Sequence, residues 1–255
     1  MKKLFLIGLF LLTACLSPSE SEGATPEPIF TPQVTATRVI STTAPATVTP
    51  TIVSSPTVTF TPLPPERYFT EEMNTALTYW SVLYASGDSN RVDILNNDSK
   101  LTFELYSPIT WIYTIYGAFE YESVHIETHV ESRGSNMNAV GLVCHYDEQE
   151  GWYEFNISND GTYNVLYGHW LAEGIAGYVP ILNDRSERIQ TGNAVNEIGL
   201  DCYDNIVQFY INSKIIRKLD LAHIGLTSGK VGLSLASFEE LPVILAFDWV
   251  KVGEP

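Results

Sequence analysis

From residue 101 onward, apolar and polar positions alternate with a period of two in one short stretch after another. Leu101, Phe103 and Leu105 are separated by Thr102 and Glu104, and Val124, Ile126, Thr128 and Val130 by His125, Glu127 and His129. Leu142, Cys144 and Tyr146 flank Val143 and His145, while Tyr153, Phe155 and Ile157 interleave with Trp152, Glu154 and Asn156. Successive side chains of an extended strand point to opposite faces, so this rhythm predicts half-buried β-strands. Asn159-Asp160-Gly161 has the composition of a hairpin turn and leads into Tyr163, Val165 and Tyr167. Ile198, Leu200 and Cys202 precede an Asp204-Asn205 turn, Val207, Phe209 and Ile211 follow it, and Asn212-Ser213 turns again into Lys214. Two further strands are expected over 231–236 and 243–252. About ten short antiparallel strands with Gly, Asn and Asp punctuation predict an all-β sandwich. Ahead of them, Thr70 is a possible cap, and Met73, Leu77, Trp80 and Tyr84 recur at near-helical spacing, which allows one short helix; an extended segment there stays open. The stretch from Tyr167 to Arg188 is expected to be a long loop that shapes a rim or covers a sheet edge.

The phrases "VGLVCHY", "GWYEFNISNDGTYNVL", "TGNAVNEIGLDCYDNIVQFYINSKII", "SGKVGLSL" and "VILAFDWVKV" resemble, in order and spacing, a concanavalin A-like (laminin G-like) jelly roll. They are most similar to bacterial domains related to the 3-keto-disaccharide hydrolases, over about residues 99–252. The resemblance implies an antiparallel jelly-roll β-sandwich. It leaves activity open, because that superfamily includes lectins, glycosidases and adhesion modules.

The other end of the chain differs in kind. Met1-Lys2-Lys3 precedes an apolar run, Leu4 to Leu12, that is too short to span a bilayer comfortably and fits the apolar region of an export signal. Leu12-Thr13-Ala14-Cys15 resembles the lipobox of bacterial lipoproteins, which implies lipidation at Cys15 after removal of the leader, with an ordinary cleaved signal or a short anchor as the alternative. Between Thr25 and Pro65 stand twelve Thr and nine Pro with almost no charge. Proline-rich chain of this kind prefers extended conformations to a packed core, so 16–65 is expected to be a stalk reaching up to roughly 120 Å at about 3.1 Å per residue. A membrane is then met only through the lipid, and the rest of the protein lies on the extracytoplasmic side of the cell membrane or outer envelope.

Residues 66–255 are long enough for one domain with a substantial core. From Arg67 onward there are 26 acidic and 11 basic side chains, a formal charge of 11 − 26 = −15. Such a surface repels phosphate, which argues against nucleic acid and anionic lipid as partners. Nothing in the chain calls for a cofactor, and a monomer is expected. Once Cys15 is lipidated, Cys144 and Cys202 form an even pair outside the cytoplasm, which is read as a disulfide rather than as two buried thiols.

The polar face offers the candidate chemistry. His125, Glu127 and His129 share one side of their strand, and a hairpin from that strand to 140–146 would add His145. Two or three imidazoles with a carboxylate are conceivable zinc ligands, but strand neighbours on one face lie roughly 7 Å apart, too far for one ion, and no metal site is assigned. Trp152, Glu154 and Asn156 share the outward register of the next strand. Together with His145 they would present an aromatic plane and fixed hydrogen-bonding groups, the combination that suits a sugar ring, with a plain solvated sheet face as the bland alternative. Hydrolysis of a glycosidic bond needs two carboxylates about 5 to 9 Å apart. The Glu-x-Asp-x-Glu pattern of the superfamily's glucanases is missing, as are nucleophile-elbow and phosphate-loop motifs, and no catalytic residue is assigned. The leading expectation is therefore a lipid-anchored protein displaying a non-catalytic module for a glycan or peptide; a glycoside hydrolase like the 3-keto-disaccharide hydrolases and a structural or protein-interaction module are the alternatives.

Overall fold

A computed structural model describes residues 64–73, 77–134 and 136–255. Cys15, the apolar leader and residues 16–63 of the Thr/Pro-rich stretch lie outside the described residues. The described chain is built almost wholly of strands: β1 (Phe69–Glu71), β2 (Trp80–Ser86), β3 (Val92–Asn97), β4 (Lys100–Leu105), β5 (Trp111–Tyr121), β6 (Val124–Ser132), β7 (Asn138–Asp147), β8 (Gly151–Ser158), β9 (Thr162–Ala172), β10 (Ile175–Arg185), β11 (Ala194–Tyr203), β12 (Ile206–Ile211), β13 (Lys214–Asp220), β14 (Gly229–Ser237) and β15 (Val243–Gly253). One antiparallel sheet runs β13-β12-β11-β6-β15-β4-β3, with β1 also paired to β15; the other runs β10-β9-β8-β7-β14-β5-β2. Chain neighbours β6 and β7 thus fall in different sheets. This is the all-β sandwich expected from the sequence.

The alternating apolar residues meet between the sheets. Ile126, Val130, Leu200, Phe209, Leu245 and Phe247 from the first sheet pack against Leu142, Phe155, Val165, Leu233 and Leu235 from the second, all essentially without solvent contact. Phe155 and Phe209 stack across the layers at 4.5 Å between ring centres. Cys144 on β7 and Cys202 on β11 are joined in a disulfide that ties one sheet to the other. Asp204-Asn205 and Asn212-Ser213 all take positive φ, between 47° and 62°, as two-residue hairpin turns require.

One alternative left open is decided and two expectations are corrected. The segment from Phe69 to Tyr84 contains β1 and β2 and no helix among its described residues; its aromatic positions instead pack around Tyr116, with Phe69 at 4.6 Å and Trp80 at 5.3 Å. The expected loop from 167 to 188 is the end of β9 and the whole of β10, paired through most of its length, with the register shifting where Pro180 removes a donor. The hairpin that was to bring His145 beside His125 does not form: β6 pairs with β11 and β15, and β7 pairs with β14 and β8.

Candidate functional site

The sequence-derived site residues divide between two faces. Trp152, Glu154 and Asn156 do share one side of β8, but that side is enclosed. The second sheet curls until β10 approaches β2 across it. Tyr113, Tyr146 and Trp152 are buried there, with Trp111, Trp170 and Tyr178 packed over them. Trp152 and Glu154 are 0 % exposed and Asn156 1 %, so an open platform is replaced by a second, aromatic core. Gly168 makes it possible: a Cβ at this position would stand 2.3 Å from the Trp152 indole.

Glu154 sits inside that core as an acceptor. Trp111 Nε1 and Asn156 Nδ2 donate to Oε1 at 3.1 and 2.9 Å, and Trp152 Nε1 and the Tyr113 hydroxyl to Oε2 at 3.1 and 2.8 Å. Burial pushes the Glu154 carboxyl above the usual range, and the donors oppose that rise. Four donors and no solvent leave this carboxylate held in place and closed to a ligand.

His145 is also enclosed. The ladder between β7 and β8 shifts register between Cys144 and Asp147, and His145 takes a φ of 49°. The bulge reverses the outward position that strict alternation assigns, so the ring lies near Tyr153 with Nδ1 3.2 Å from the Leu226 carbonyl oxygen. Burial lowers its pKa and favours the neutral imidazole.

His125, Glu127 and His129 project from the outer face of the other sheet, where neighbouring strands supply carboxylates. Asp201 of β11 stands opposite His125 in the ladder, and its Oδ1 lies 2.6 Å from His125 Nδ1. Glu127 Oε2 lies 3.7 Å from the other ring nitrogen. Hydrogen bonding to Asp201, then to Glu127, pushes the His125 pKa up to about 9, against the opposing effect of burial. The Tyr210 hydroxyl and Gln208 Nε2 both donate to Asp201 Oδ2. Burial, then the bond to Asp201, raises Tyr210 to about 12. His129 turns to the opposite strand instead, with Nδ1 2.6 Å from Asp248 Oδ2 and its ring stacked on Trp249. Asp248 is further held by Lys100 at 2.7 Å. The row is thus two separate His–Asp pairs, and among the described residues no group of three or more His, Cys, Asp or Glu is placed to hold a metal ion.

Beside the first pair the surface opens. Tyr68, Asp201, Tyr203, Asp204, Gln208 and Tyr210 are the main walls of a cleft of about 580 Å³ at the β11–β12 end of the sheet. Tyr203 and Tyr210 are half-buried and Tyr68 is exposed, so each of the three residues keeps part of its surface open to solvent. None of these six residues is among the site residues expected from the sequence. The signal was present in part, since Asp201 and Gln208 alternate with core residues, but nothing local shows that β11 lies beside β6.

Solved structures with the same layered arrangement include a Bacillus licheniformis beta-glucanase (14 % identity, 74 % of this chain and 98 % of that one, TM-score 0.50). A Bacteroides ovatus mixed-linkage glucan GH16 protein in complex with a product matches at 14 % identity over 72 % and 99 % of the two chains, TM-score 0.51. The fold is a concanavalin-like jelly roll. A Bacillus subtilis protein of unknown function described as galectin-like shares this jelly roll at 10 % identity over 73 % and 94 %, TM-score 0.53. No family model and no curated protein matches the chain.

Proposed function

We propose that this is a lipid-anchored protein on the extracytoplasmic side of the cell envelope, displaying a non-catalytic jelly-roll module that binds carbohydrate. The observation that carries the binding reading is the cleft beside Asp201. Three tyrosines leave ring surface open to the cleft, and Tyr68, Tyr203, Asp204 and Gln208 bring polar groups to it above an Asp201 held by His125, Tyr210 and Gln208, a combination that suits a sugar ring. Binding is favoured over hydrolysis because the Glu-x-Asp-x-Glu pattern of the glucanases is missing from the sequence. Glycosidic cleavage uses two carboxylates that can reach the scissile bond; Glu154 is enclosed and Asp201 is engaged through both oxygens by His125, Tyr210 and Gln208, which leaves Asp204 and Glu254 at the rim as the cleft's open acids. The anchoring half of the proposal rests on the Lys-rich start, the apolar run and Cys15, with the Thr/Pro-rich segment as spacer. The glucan-related names among the jelly-roll neighbours agree with a carbohydrate ligand.

The binding half is tested by screening the full chain on a glycan array and following hits by tyrosine fluorescence. Binding that falls at least tenfold in Tyr203→Ala, with unchanged circular dichroism, is the expected result. An array without a hit, or affinity unchanged by that substitution, overturns it. The anchor is tested by metabolic labelling with a radioactive fatty acid, which wild type should incorporate and Cys15→Ser should not.

A further inference from the structure

The proposed glycan-binding cleft carries more acidic than basic side chains along its walls. Asp204 and Glu254 are exposed at its rim, and Asp201 forms its floor. A second cleft of about 400 Å³ adjoins it, sharing Tyr68 and Ser123 and adding exposed Glu120, Glu122 and Arg67. The cations nearby are largely committed: His125 lies between Asp201 and Glu127, and Arg67 lies over the Tyr121, Phe119 and Tyr68 rings at 5.1 to 5.9 Å while donating to the Glu120 carbonyl oxygen.

The tyrosines also already carry cations. Besides Arg67 over Tyr68, Lys218 places its Nζ 5.3 Å from the centre of the Tyr203 ring. Aromatic faces attract ammonium groups through the ring quadrupole, and adjacent carboxylates strengthen that preference. The protein's own lysine therefore occupies the kind of position that a ligand's ammonium group would take.

We infer that this joined cleft selects a glycan bearing protonated amino groups, an amino sugar polymer without N-acetyl caps, over a neutral glucan of the same length. The inference rests on the carbohydrate reading above and names its ligand class. The sugar ring would lie on Tyr203 or Tyr68, and its ammonium would face Asp204 and Glu254. Two joined clefts suit a chain of several residues rather than one sugar.

The test is calorimetric titration of the full chain at pH 6 with three probes of equal length: glucosamine tetramer, its N-acetylated form, and cellotetraose. The glucosamine tetramer should bind at least tenfold more tightly than the other two, and its affinity should fall severalfold between low salt and half-molar salt. The double variant Asp204→Asn, Glu254→Gln should lose most of the preference while keeping the fold. Lys218→Ala, which vacates one face of Tyr203, should tighten glucosamine binding. Equal, salt-insensitive binding of all three tetramers overturns the ligand class while leaving the glycan-binding reading intact. Binding of tetralysine as tight as that of the glucosamine tetramer overturns the selection of a sugar. Failure of all three tetramers to bind, together with an array that gives no hit, overturns the carbohydrate reading itself.

Discussion

His125 gives the outer sheet a pH signature that the structure makes quantitative. Its imidazolium lies between Asp201 and Glu127, and its pKa is pushed up to about 9 from an ordinary 6.5. A raised value in the folded state means that the folded chain holds this proton more tightly than the unfolded one. The stabilisation is therefore complete below about pH 6.5 and is lost as pH rises through about 9. The difference between about 9 and 6.5, at 1.36 kcal/mol per pH unit, is about 3 kcal/mol. The side chain remains 18 % exposed, so solvent screens part of this and about half is the working figure. Urea unfolding of wild type and His125→Asn at pH 6 and pH 10 measures it. Other groups that titrate in this interval are common to both proteins, so the difference isolates His125. Wild type should lose about 1.5 kcal/mol more than the variant on going to the higher pH. Equal losses in the two proteins would refute the proposed charge pairing.

The remaining expectations concern what holds the scaffold. Trp152→Ala should cost about 3 to 5 kcal/mol, the range for truncating a buried aromatic, and should act on urea midpoints rather than selectively on ligand affinity. Gly168→Ala should cost about 1 to 3 kcal/mol through the clash with the Trp152 indole, and pairing it with Trp152→Leu should recover part of that loss in a double-mutant cycle. Glu154→Leu should destabilise far more than Glu154→Gln, because three buried donors, from Tyr113, Trp152 and Asn156, then lose this acceptor at about 1 to 3 kcal/mol each before relaxation, and the half-buried Trp111 loses its own. Replacing both Cys144 and Cys202 by Ala should cost about 4 kcal/mol, the chain-entropy value for a loop of 58 residues. A non-reducing peptide map should show the two cysteines in one linked species.

What the sequence discloses about this fold depends on how each strand is covered. β6 reads as a strand at once because one face meets the core and the other meets water, giving strict alternation from Val124 to Val130. β8 alternates too, but every residue is buried. The register of Trp152, Glu154 and Asn156 is therefore legible, while their enclosure is not, since it comes from the curl of a whole sheet. β5 hides its strand character for the same reason: Tyr113 faces the aromatic core as Ile112 faces the main one, and the apolar–polar rhythm disappears. β10 carries Pro180 and Gly177, which belong at a sheet edge but look like loop. His145 shows the cost of assuming perfect alternation, because one bulge turns the side chain to the other side. The Asp201 partnership with His125 requires knowing that strands far apart in sequence are neighbours, which local pattern does not contain.

On the proposed reading, carbohydrate meets this jelly roll at the Tyr68–Tyr203–Tyr210 cleft and not over β8. Hydrogen–deuterium exchange of the full chain, with and without its best-binding glycan, tests this most directly. Protection confined to Tyr68 and residues 201–210, with 152–156 and 176–180 unchanged, is the predicted result. Protection or opening at 152–156 and 176–180, with 201–210 unaffected, would contradict the account.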